Sequence, residues 1–596
     1  MEHAPPRTDP PRSRTLRLLT ALALLLTAAL ALTWHSAGSA SAATSTIVGT
    51  ASGRCLDVTG GSAVNGAYVQ LWDCNGQPGQ QWNITTTGEL RVFNDTMCLD
   101  AYQKGTTAGT RIDVYTCNGG ANQQWHVNTD GTITGVQSGL CLDATSAGTA
   151  NGTANELWTC NGGTNQKWTT SGSTTTGGTT TGGTGSGGAF YVSPTGSDSA
   201  AGTQTAPWAT FAQAQTVAKA GDTVYFRGGT YAYTRANAGC SSQTASVDAI
   251  TLNKSGSPGS PITYSAYPGE EPVFDFSAMR DNCRIKGFDV TASWIHLKGL
   301  EVTGVRQNNN LNHESWGVWI TGSDNTFEQL DLHHNMGPGL FIQNGGGNLV
   351  VNCDSHDNYD PLTSNGAGES ADGFGAHISA NHPGNVFRAD RAWWNSDDGF
   401  DLINAYSSVT IENSWAWLNG YLPGTTTASG NGNGFKAGGY GGTYVSNGVK
   451  HTVRQSVAFN NRSAGFYANH HTVADDIFNN TAYNNHPDYN MLGITSSGAA
   501  TGIGTLRNNI AYGGTLTSNM TGTNASNNTW NLGVALSDAQ FQSVSTSGWS
   551  APRQADGSLP VLPYLRLAAT STLIDKGVNV GLPYNGSAPD LGAFEH

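Results

Sequence analysis

The feature that most limits how this chain can fold is a threefold repeat of 43 residues near its amino terminus. The tripeptide Cys-Leu-Asp begins at three equally spaced positions, Cys55, Cys98 and Cys141. A Gln-x-Trp sequence closes the three repeats at Trp82, Trp125 and Trp168. Because internal repetition decides architecture before local structure does, residues 43–168 are predicted to form one domain of three equivalent units.

A second cysteine follows the first in each repeat after 19 residues. These cysteines and the three Gln-x-Trp sequences resemble the ricin-B-type lectin, a β-trefoil carbohydrate-binding module. The resemblance implies disulfides joining Cys55 with Cys74, Cys98 with Cys117 and Cys141 with Cys160. Three small repeats that share one core gain stability from such bonds in an oxidising compartment.

The same resemblance implies one sugar pocket in each repeat. Its residues would be Asp57, Gln70, Trp72 and Gln80 in repeat one, Asp100, Asp113, Tyr115, Asn122 and Gln123 in repeat two, and Asp143, Glu156, Trp158, Asn165 and Gln166 in repeat three. Gly79 stands where the family has an asparagine, which predicts a weakened first pocket. We expect the Gln-x-Trp tryptophans to fill the core and Trp72, Tyr115 and Trp158 to offer stacking surfaces, for a neutral sugar or glycan.

Two segments flank this domain and are predicted to lie outside any packed core. Residues 1–42 combine four arginines, an apolar run and the small residues "ASAA", which is typical of a signal peptide cleaved after Ala42. A single membrane anchor is the alternative, but the run is short for a span. Residues 169–188, rich in Thr and Gly, are predicted to be a flexible linker to a domain over 189–596.

Charge and composition restrict the possible functions. The formal net charge is −14 and only 12% of residues are charged, so a nucleic-acid partner is not expected. The chain would also repel an acidic polysaccharide unless positive charge lay between them. We expect an exported, extracellular monomer without a membrane partner.

The downstream domain is predicted to be a right-handed parallel β-helix, so that the whole fold class is all-β. From about residue 250 to 512, strands of four to six residues alternate with turns rich in Asn and Gly. A short helical stretch near "WATFAQAQTVAKA" could cap the solenoid. Recurring asparagines suit either αL backbone or an amide ladder between coils: Asn335, Asn358, Asn395, Asn419 and Asn461.

A repeated Gly-Phe pair sets the register of these coils. Aligning it places four rings in one inward stack, Phe374, Phe400, Phe435 and Phe466, with Leu340 a weaker equivalent. The position after the ring then faces outward and reads Gly375, Asp401, Lys436 and Tyr467 on successive coils. With Asp372, Asp397 and Asp398 just before the ring, four carboxylates and one lysine are predicted to converge on one face.

Such a cluster suggests a bound cation. Carboxylates this close repel one another, and oxygen donors without His or Cys favour Ca²⁺. Structural calcium, or a simple ion pair between Lys436 and Asp401, is the alternative. A lysine beside a metal and away from water would have a depressed pKa and could act as a general base. Removal of the proton next to a calcium-bound uronate carboxyl group would cleave the polymer by β-elimination.

Residues 190–596 resemble the family 9 polysaccharide lyases, pectate lyases built on a parallel β-helix. The motifs are "SADGF", "NSDDGFD" and "GNGFKAGG". The resemblance implies a calcium site at Asp372, Asp397, Asp398 and Asp401, Lys436 as the catalytic base, and pectin, an acidic plant cell-wall polysaccharide, as the substrate. Tyr467 departs from the family pattern, which has an acidic residue there. The contact of this position with the substrate is therefore expected to differ from that in the family, whereas the base is not affected.

Several alternatives remain at this point. Rhamnogalacturonan could be cleaved by the same mechanism, and a pectin hydrolase would use Asp397 and Asp398 as acid and base but leave Lys436 without a role. A non-catalytic wall-binding protein is the remaining class. Near the site, Arg462, His377 and His470 could hold substrate carboxylates or be solvated surface residues. The other cysteines are expected to pair Cys240 with Cys283 and to leave Cys353 buried and free.

Overall fold

The computed structural model describes residues 46–596 except 76, 86–87, 94–95, 129–130, 171–187, 236–239, 241, 243–244, 309–313, 365, 535 and 555–556. The chain divides into two compact units, Met1–Gly182 and Gly183–His596. The predicted signal peptide and most of the predicted linker lie outside the described residues. Among the described helices, none is long and apolar enough to cross a membrane.

The first unit is a β-trefoil of short antiparallel strands. Its strands are β1 Ile47–Gly49, β2 Cys55–Val58, β3 Ala67–Trp72, β4 Asn83–Ile84, β5 Leu90–Val92, β6 Met97–Ala101, β7 Thr110–Thr116, β8 Trp125–Val127, β9 Ile133–Gly135, β10 Cys141–Ala144, β11 Asn155–Trp158 and β12 Trp168–Thr170. The first strand pairs with the last, which closes the domain. Strand β12 includes Thr169 and Thr170, the first residues of the predicted linker, which pair with Val48 and Ile47 of β1.

The trefoil core contains the three predicted tryptophans. Trp82, Trp125 and Trp168 are 0%, 2% and 3% exposed. Each indole Nε1 donates to the backbone carbonyl of the leucine directly after the first cysteine of its repeat, at 2.9 to 3.0 Å. These bonds satisfy the polar atom of each buried ring, so the tryptophans serve packing and are not available to sugar.

The predicted disulfides are all present. Each trefoil repeat is closed by one of the bonds Cys55–Cys74, Cys98–Cys117 and Cys141–Cys160. In the second unit Cys240 is joined to Cys283, and Cys353 is free and buried. Four cross-links in one chain are consistent with an oxidising environment.

The second unit is a parallel β-helix whose coils contribute to three sheets. Sheet 1 contains β13 Ala189–Val192, β14 Thr223–Phe226, β17 Ile262–Ala266, β20 Ile295–Lys298, β23 Thr326–Glu328, β26 Leu349–Val351, β29 Asn385–Arg388, β32 Val409–Glu412, β35 Thr452–Arg454, β38 Asp476–Phe478, β43 Thr505–Arg507 and β46 Asn524–Ser526. Sheet 2 contains β15 Gly229–Arg235, β18 Pro272–Met279, β21 Glu301–Thr303, β24 Asp331–His333, β27 Asp354–His356, β30 Arg391–Trp393, β33 Trp415–Trp417, β36 Val457–Phe459, β39 Thr481–Tyr483 and β44 Ile510–Tyr512.

Sheet 3 carries the predicted site. It contains β16 Ser246–Leu252, β19 Arg284–Val290, β22 Trp316–Ile320, β25 Leu340–Ile342, β28 Phe374–Ala376, β31 Phe400–Asp401, β34 Phe435–Lys436, β37 Phe466–Tyr467, β40 Tyr489–Asn490 and β45 Thr517–Ser518. A small hairpin, β41 Leu492–Ile494 and β42 Ala500–Gly502, lies outside the three sheets.

The two described α-helices are short. Helix α1, Phe211–Val217, begins after Thr210, whose side chain accepts a hydrogen bond from the amide of Gln213. It buries Phe211 among the aromatic rings of the first coils, 4.7 Å from the ring of Phe226. The helix therefore covers the apolar interior at the amino-terminal end, as predicted. Helix α2, Thr529–Leu532, follows the last strand of sheet 1.

The predicted inward ring stack is confirmed. The rings of Phe374, Phe400, Phe435 and Phe466 follow one another at centroid distances of 5.1, 4.9 and 5.0 Å. Leu340, on the coil before Phe374, pairs with it in register. On the other side the ring of Tyr489 extends the stack, 4.9 Å from the ring of Phe466. The Gly-Phe repeat therefore fixes which residues of each coil face outward.

The recurring asparagines form a buried amide ladder. From Asn358 onwards, each Nδ2 donates to the Oδ1 of the next coil's asparagine at 2.8 to 3.1 Å, through Asn395, Asn419, Asn461 and Asn485. Positive φ occurs one residue earlier, at His334, Asp357, Trp394, Leu418, Asn460 and Asn484. The amide-ladder alternative is therefore right, and αL geometry is adopted by whichever residue precedes the ladder.

The carboxyl-terminal segment packs on the outer face of sheet 2. Trp549 lies 4.0 Å from Trp415 between ring centroids, within a cluster that also includes Trp417 and Phe459. Arg553 donates to Asp354 at 2.6 Å, and Asp354 also accepts from Arg391 at 2.6 Å. The segment thus covers aromatic side chains that would otherwise be exposed on the solenoid surface.

The amide ladder yields a prediction for stability. Asn419 donates to the carbonyl of Ala392 at 3.1 Å and to Asn461, and it accepts from Asn395. Asn419→Ala should lower the free energy of unfolding by about 2–4 kcal/mol, because buried partners lose their hydrogen bonds. Chemical denaturation measures this change. Asn253→Ala, at an exposed asparagine, is the control and should change it by less than about 0.5 kcal/mol; equal effects would contradict a structural role for the ladder.

Candidate active site

The outward row of sheet 3 brings the predicted base next to a carboxylate. Asp401 on β31 pairs in register with Lys436 on β34, and Lys436 pairs with Tyr467 on β37. Gly375 on β28 precedes them in the same row. Because the neighbouring phenylalanine of each strand faces inward, these side chains face the surface of the sheet.

The turn before each strand supplies the remaining polar groups. Asp372 and Asp398 occupy equivalent positions on successive coils, and the amide of Asp398 donates to Asp372 Oδ1 at 3.2 Å. On the next coil this position is Asn433, whose backbone N and Nδ2 donate to Asp398 Oδ1 at 2.6 and 2.8 Å. The ladder of turns therefore fixes the orientation of the Asp398 carboxylate.

Three of the four predicted carboxylates come together. Asp372, Asp398 and Asp401 each offer an oxygen within 4.8 Å of the others. Lys436 Nζ lies 3.0 Å from Asp398 Oδ2 and 2.9 Å from Asp401 Oδ2. Asp397 is outside this group of three, and its Oδ1 accepts from the amide of Asn431 at 3.2 Å.

These groups are almost completely buried, so their charges interact strongly. Burial raises the pKa of Asp372 and Asp397 well above the ordinary value, and the neighbouring carboxylates raise it further. Burial also raises the pKa of Asp398, although Lys436 opposes the shift. For Asp401, Lys436 and His377 outweigh burial and hold the pKa below its usual range.

The protein groups by themselves raise the pKa of Lys436, whereas the prediction of a depressed pKa applies to a lysine beside a bound metal ion. Burial lowers it, but the carboxylates of Asp398 and Asp401, helped by Asp397 and Asp372, outweigh burial and raise the pKa well above its ordinary value. The protein groups alone therefore keep the ammonium charged. The predicted depressed pKa would require a positive charge close to these carboxylates.

The cluster has the donor set that a hard divalent cation prefers. Its possible ligand atoms are all carboxylate oxygens. Asp398 Oδ2 is buried, and among the described residues its close polar neighbour is the Lys436 ammonium at 3.0 Å, so it can still accept from a cation beside Asp372 and Asp401. The residues present therefore fit a calcium ion, which would offset the mutual repulsion of the buried carboxylates.

The histidines and the arginine predicted near the site contact other protein groups. His377 Nε2 lies 3.9 Å from Asp401 Oδ2, and its ring packs edge-on against Phe341. The guanidinium of Arg462 donates to the carbonyl of Gly430, and the hydroxyl of Tyr467 lies 3.4 Å from His470 Nδ1. His377 and Tyr467 thus border the cluster, whereas Arg462 supports the adjoining loop.

Asn433 belongs to the site but was not among the predicted site residues. Its position was visible in the sequence, since it stands directly before the Gly-Phe pair where earlier coils have Asp372 and Asp398. An amide there supplies donors, whereas a further carboxylate would have added repulsion. The alignment of the coils therefore indicated that Asn433 belongs to the site, although an asparagine by itself does not suggest this.

The trefoil brings its predicted sugar-binding residues together in three separate clusters, one for each predicted pocket. The inner carboxylates Asp57, Asp100 and Asp143 pair across strands with Gln70, Asp113 and Glu156. The predicted stacking residues Trp72, Tyr115 and Trp158 are 40%, 44% and 43% exposed. Each pocket therefore has an acceptor at its base and an exposed aromatic ring near its rim.

The donors to the inner carboxylates differ between repeats. Asn122 and Gln123 donate to Asp100 Oδ2 at 2.8 and 2.9 Å. In repeat three Asn165 and Gln166 contact Asp143 in the same way. In repeat one, where Gly79 replaces the asparagine, Gln70 Nε2 contacts Asp57 at 2.9 Å, and Gln80 donates to the other oxygen at 3.1 Å. Gln70 therefore replaces the missing donor.

Comparison with known families agrees with both domains. Residues 190–519 match the family described as "Pel9A-like, right handed beta helix region". Residues 43–168 match the "Ricin-type beta-trefoil lectin domain". Each match lies within one of the two compact units.

Individual proteins are similar over most of the second unit. Pectate lyase L of Dickeya dadantii is 38% identical over 414 residues, which cover 68% of this chain and 90% of that protein. The crystal structure of pectate lyase Pel9A is 36% identical with a TM-score of 0.58, covering 69% of this chain and 97% of the other. A structure titled rhamnogalacturonan lyase is 35% identical with a TM-score of 0.60, covering 64% and 97%.

The contacts of Asn433 lead to a prediction about cation binding. Asn433→Ala removes the Nδ2 donor that orients Asp398, and residues that orient ligands commonly affect metal affinity by 10–100-fold. We expect the dissociation constant for calcium to rise by roughly tenfold, measured by isothermal titration calorimetry. Asn524→Ala, at an exposed position of β46, is the control and should leave calcium binding unchanged. A similar affinity in both variants would exclude this orienting role.

Proposed function

Because the chain belongs to the family of Pel9A-like right-handed β-helices and is a polysaccharide lyase, we propose that it cleaves polygalacturonate by calcium-dependent β-elimination. The observation that carries this proposal is the position of Lys436. Its Nζ lies within 3.0 Å of carboxylate oxygens of both Asp398 and Asp401, on the open face of sheet 3. A hydrolase would leave this buried lysine without a role.

Asp372, Asp398 and Asp401 would hold the calcium ion, and Asp397 would be the fourth carboxylate beside them. When bound, the ion supplies positive charge that neutralises the uronate carboxyl group and acidifies the proton on the adjacent ring carbon. Asp401 and Asp398 orient Lys436 Nζ toward the same face. With that positive charge in place, Lys436 in its neutral form would accept the proton at Nζ. The electron pair of the broken C–H bond would form the double bond of the product as the bond to the glycosidic oxygen breaks, and that oxygen would take up a proton from water.

Two features support roles for the rest of the chain. The trefoil would bind carbohydrate and so keep the lyase near its substrate, as tethered modules do. The disulfides support export, with residues 1–42 as the signal peptide. We propose that the mature protein acts outside the cell as a monomer on pectin.

Rhamnogalacturonan is the second candidate substrate. The likeness to a solved rhamnogalacturonan lyase supports it, since 64% of the chain is covered at 35% identity. Tyr467 stands beside Lys436 in the outward row, where an aromatic hydroxyl rather than a carboxylate would meet the substrate. The base and the cation site would be the same for both polymers.

The reaction can be tested by removing the cation. Mature protein would be incubated with polygalacturonate and, separately, with rhamnogalacturonan, in calcium or in excess chelator. We expect ultraviolet absorbance from unsaturated product to rise with calcium on polygalacturonate and to stop with chelator. The same rise on rhamnogalacturonan alone would select the second substrate. New reducing ends without this absorbance would identify a hydrolase, and no cleavage of either polymer would favour a wall-binding role.

The role of Lys436 can be separated from that of the carboxylates. Lys436→Met should lower kcat by about 100- to 10,000-fold, the usual contribution of a general base. Calcium affinity should not fall, because the variant removes a cation that competes for Asp398 and Asp401. Initial rates and calorimetry measure the two effects. The control is Lys450→Ala, a lysine 52% exposed and paired with Asp476; it should keep full activity. Comparable rates in the Lys436 variant would rule out the base assignment.

A further inference from the structure

The three trefoil pockets differ in the residue that borders each of them from the neighbouring repeat. Tyr68, Arg111 and Ala154 occupy equivalent outward positions, 43 residues apart. Tyr68 pairs across strands with Asp113 of the repeat-two pocket, and Arg111 pairs with Glu156 of the repeat-three pocket. Ala154 bridges to Gln70 of the repeat-one pocket. Only the repeat-two pocket therefore has an aromatic ring at this border.

Arg111 turns toward the repeat-two pocket. Its guanidinium carbon lies 3.4 Å from the ring centroid of Tyr68 and 4.1 Å from that of Tyr102. Its Nη2 also donates to Asp113 Oδ2 and to the carbonyl of Gly66, both at 3.3 Å. Held between two rings, the guanidinium is fixed in place before any ligand arrives, which reduces the entropy lost on binding.

The charge balance of this pocket also differs from that of the others. Burial raises the pKa of Asp100, and burial together with Asp100 raises the pKa of Asp113 to about 6, while the positive charge of Lys104 opposes the first shift and that of Arg111 opposes the second. In repeat three, Glu156 is raised in pKa by burial and by Asp143. Among the described residues, no lysine or arginine contributes to the shifts at Asp57, Asp143 or Glu156. An anionic ligand would therefore meet net repulsion at repeats one and three.

The repeat-two pocket also keeps unpaired polar atoms. Asp113 is 1% exposed, and its Oδ1 has no hydrogen-bond partner. Arg111 Nε is likewise buried without a partner, although the Arg111 side chain as a whole is 26% exposed. Buried polar atoms are normally satisfied, so these two mark a place where a polar ligand group would complete the bonding.

Exposed aromatic rings extend the pocket along the sheet. Tyr68, Tyr102 and Tyr115 are 49%, 39% and 44% exposed. Tyr68 is diagonal to Tyr115 on paired strands, a placement that separates residues by roughly 7–8 Å. Two rings at this spacing on one face can contact successive sugars of one chain.

We propose that the repeat-two pocket binds an acidic sugar, a uronate within an oligosaccharide, with its carboxylate on Arg111 and its chain along Tyr68 and Tyr115. Guanidinium groups favour carboxylates through paired hydrogen bonds and fixed charge. The inference rests on the proposed carbohydrate-binding role of the trefoil, and it assigns to this domain the same class of sugar that the lyase domain would cleave.

The test uses the mature full-length chain carrying Lys436→Met, so that cleavage does not interfere, with chelator present. Dissociation constants for digalacturonate and for the neutral galactobiose are measured by calorimetry. We expect Arg111→Ala to weaken digalacturonate binding at least tenfold and galactobiose binding less than twofold. Arg91→Ala, at another partly exposed arginine of the trefoil, which is paired with Glu89, is the control and should change neither constant.

Two further variants keep the result decisive if Arg111→Ala disturbs the fold. Arg111→Lys retains the charge and should weaken digalacturonate binding less than Arg111→Ala does. Tyr68→Ala retains Arg111 and should weaken digalacturonate binding by roughly five- to tenfold. The proposal is overturned if every variant binds digalacturonate within twofold of the parent, or if the parent prefers galactobiose. Lyase activity does not enter these measurements, so failure of the proposed reaction would be seen separately.

Discussion

In-register stacking of the coils is the constraint on which the site depends. Parallel strands lie about 4.8 Å apart, so each outward residue has its equivalent on the next coil as an immediate neighbour. Apolar rings gain from this arrangement, as the Phe374 to Phe466 stack does. Carboxylates at equivalent positions are forced together and repel one another. The solenoid interior therefore provides the stability that holds an unfavourable charge cluster in place.

The cluster is balanced in two ways within the protein. Lys436 contributes a positive charge between Asp398 and Asp401, and Asn433 replaces a further carboxylate with two donors. Both compensations occur on the coil after "NSDDGFD", so the local sequence of that motif does not contain them. Burial, and then the neighbouring carboxylates, still raise the pKa of Asp372 and Asp397, so a divalent cation that stabilised their charged forms would bind favourably.

The trefoil shows how a symmetric fold can hold different sites. Its three repeats share a core, a disulfide and a buried carboxylate, and these elements make the backbone equivalent. The outward positions between repeats lie outside that shared core, so their residues can differ, as Tyr68, Arg111 and Ala154 do. If one of these pockets selects the charged sugar, the carbohydrate module and the lyase domain bind the same class of sugar.

Sequence periodicity by itself determined much of this structure. The 43-residue repeat predicted the trefoil and its disulfides through a family resemblance, and the Gly-Phe register predicted that Asp401, Lys436 and Tyr467 would be neighbours. Both signals follow from repetition, which is visible without coordinates. The pairing of Thr169 and Thr170 with β1 was not visible in the repeat, because it involves residues more than 120 positions away.

Only the tertiary structure decided the direction of individual side chains and the balance of their charges. It separated Asp397 from the group of three carboxylates and showed that the pKa of Lys436 is raised by the protein alone. It also turned Arg111 from its strand partner Glu156 toward Tyr68 and Tyr102. The physical reason is that a register assigns each residue to a face and a coil, whereas pKa values and pocket chemistry depend on atoms brought together from several coils or repeats.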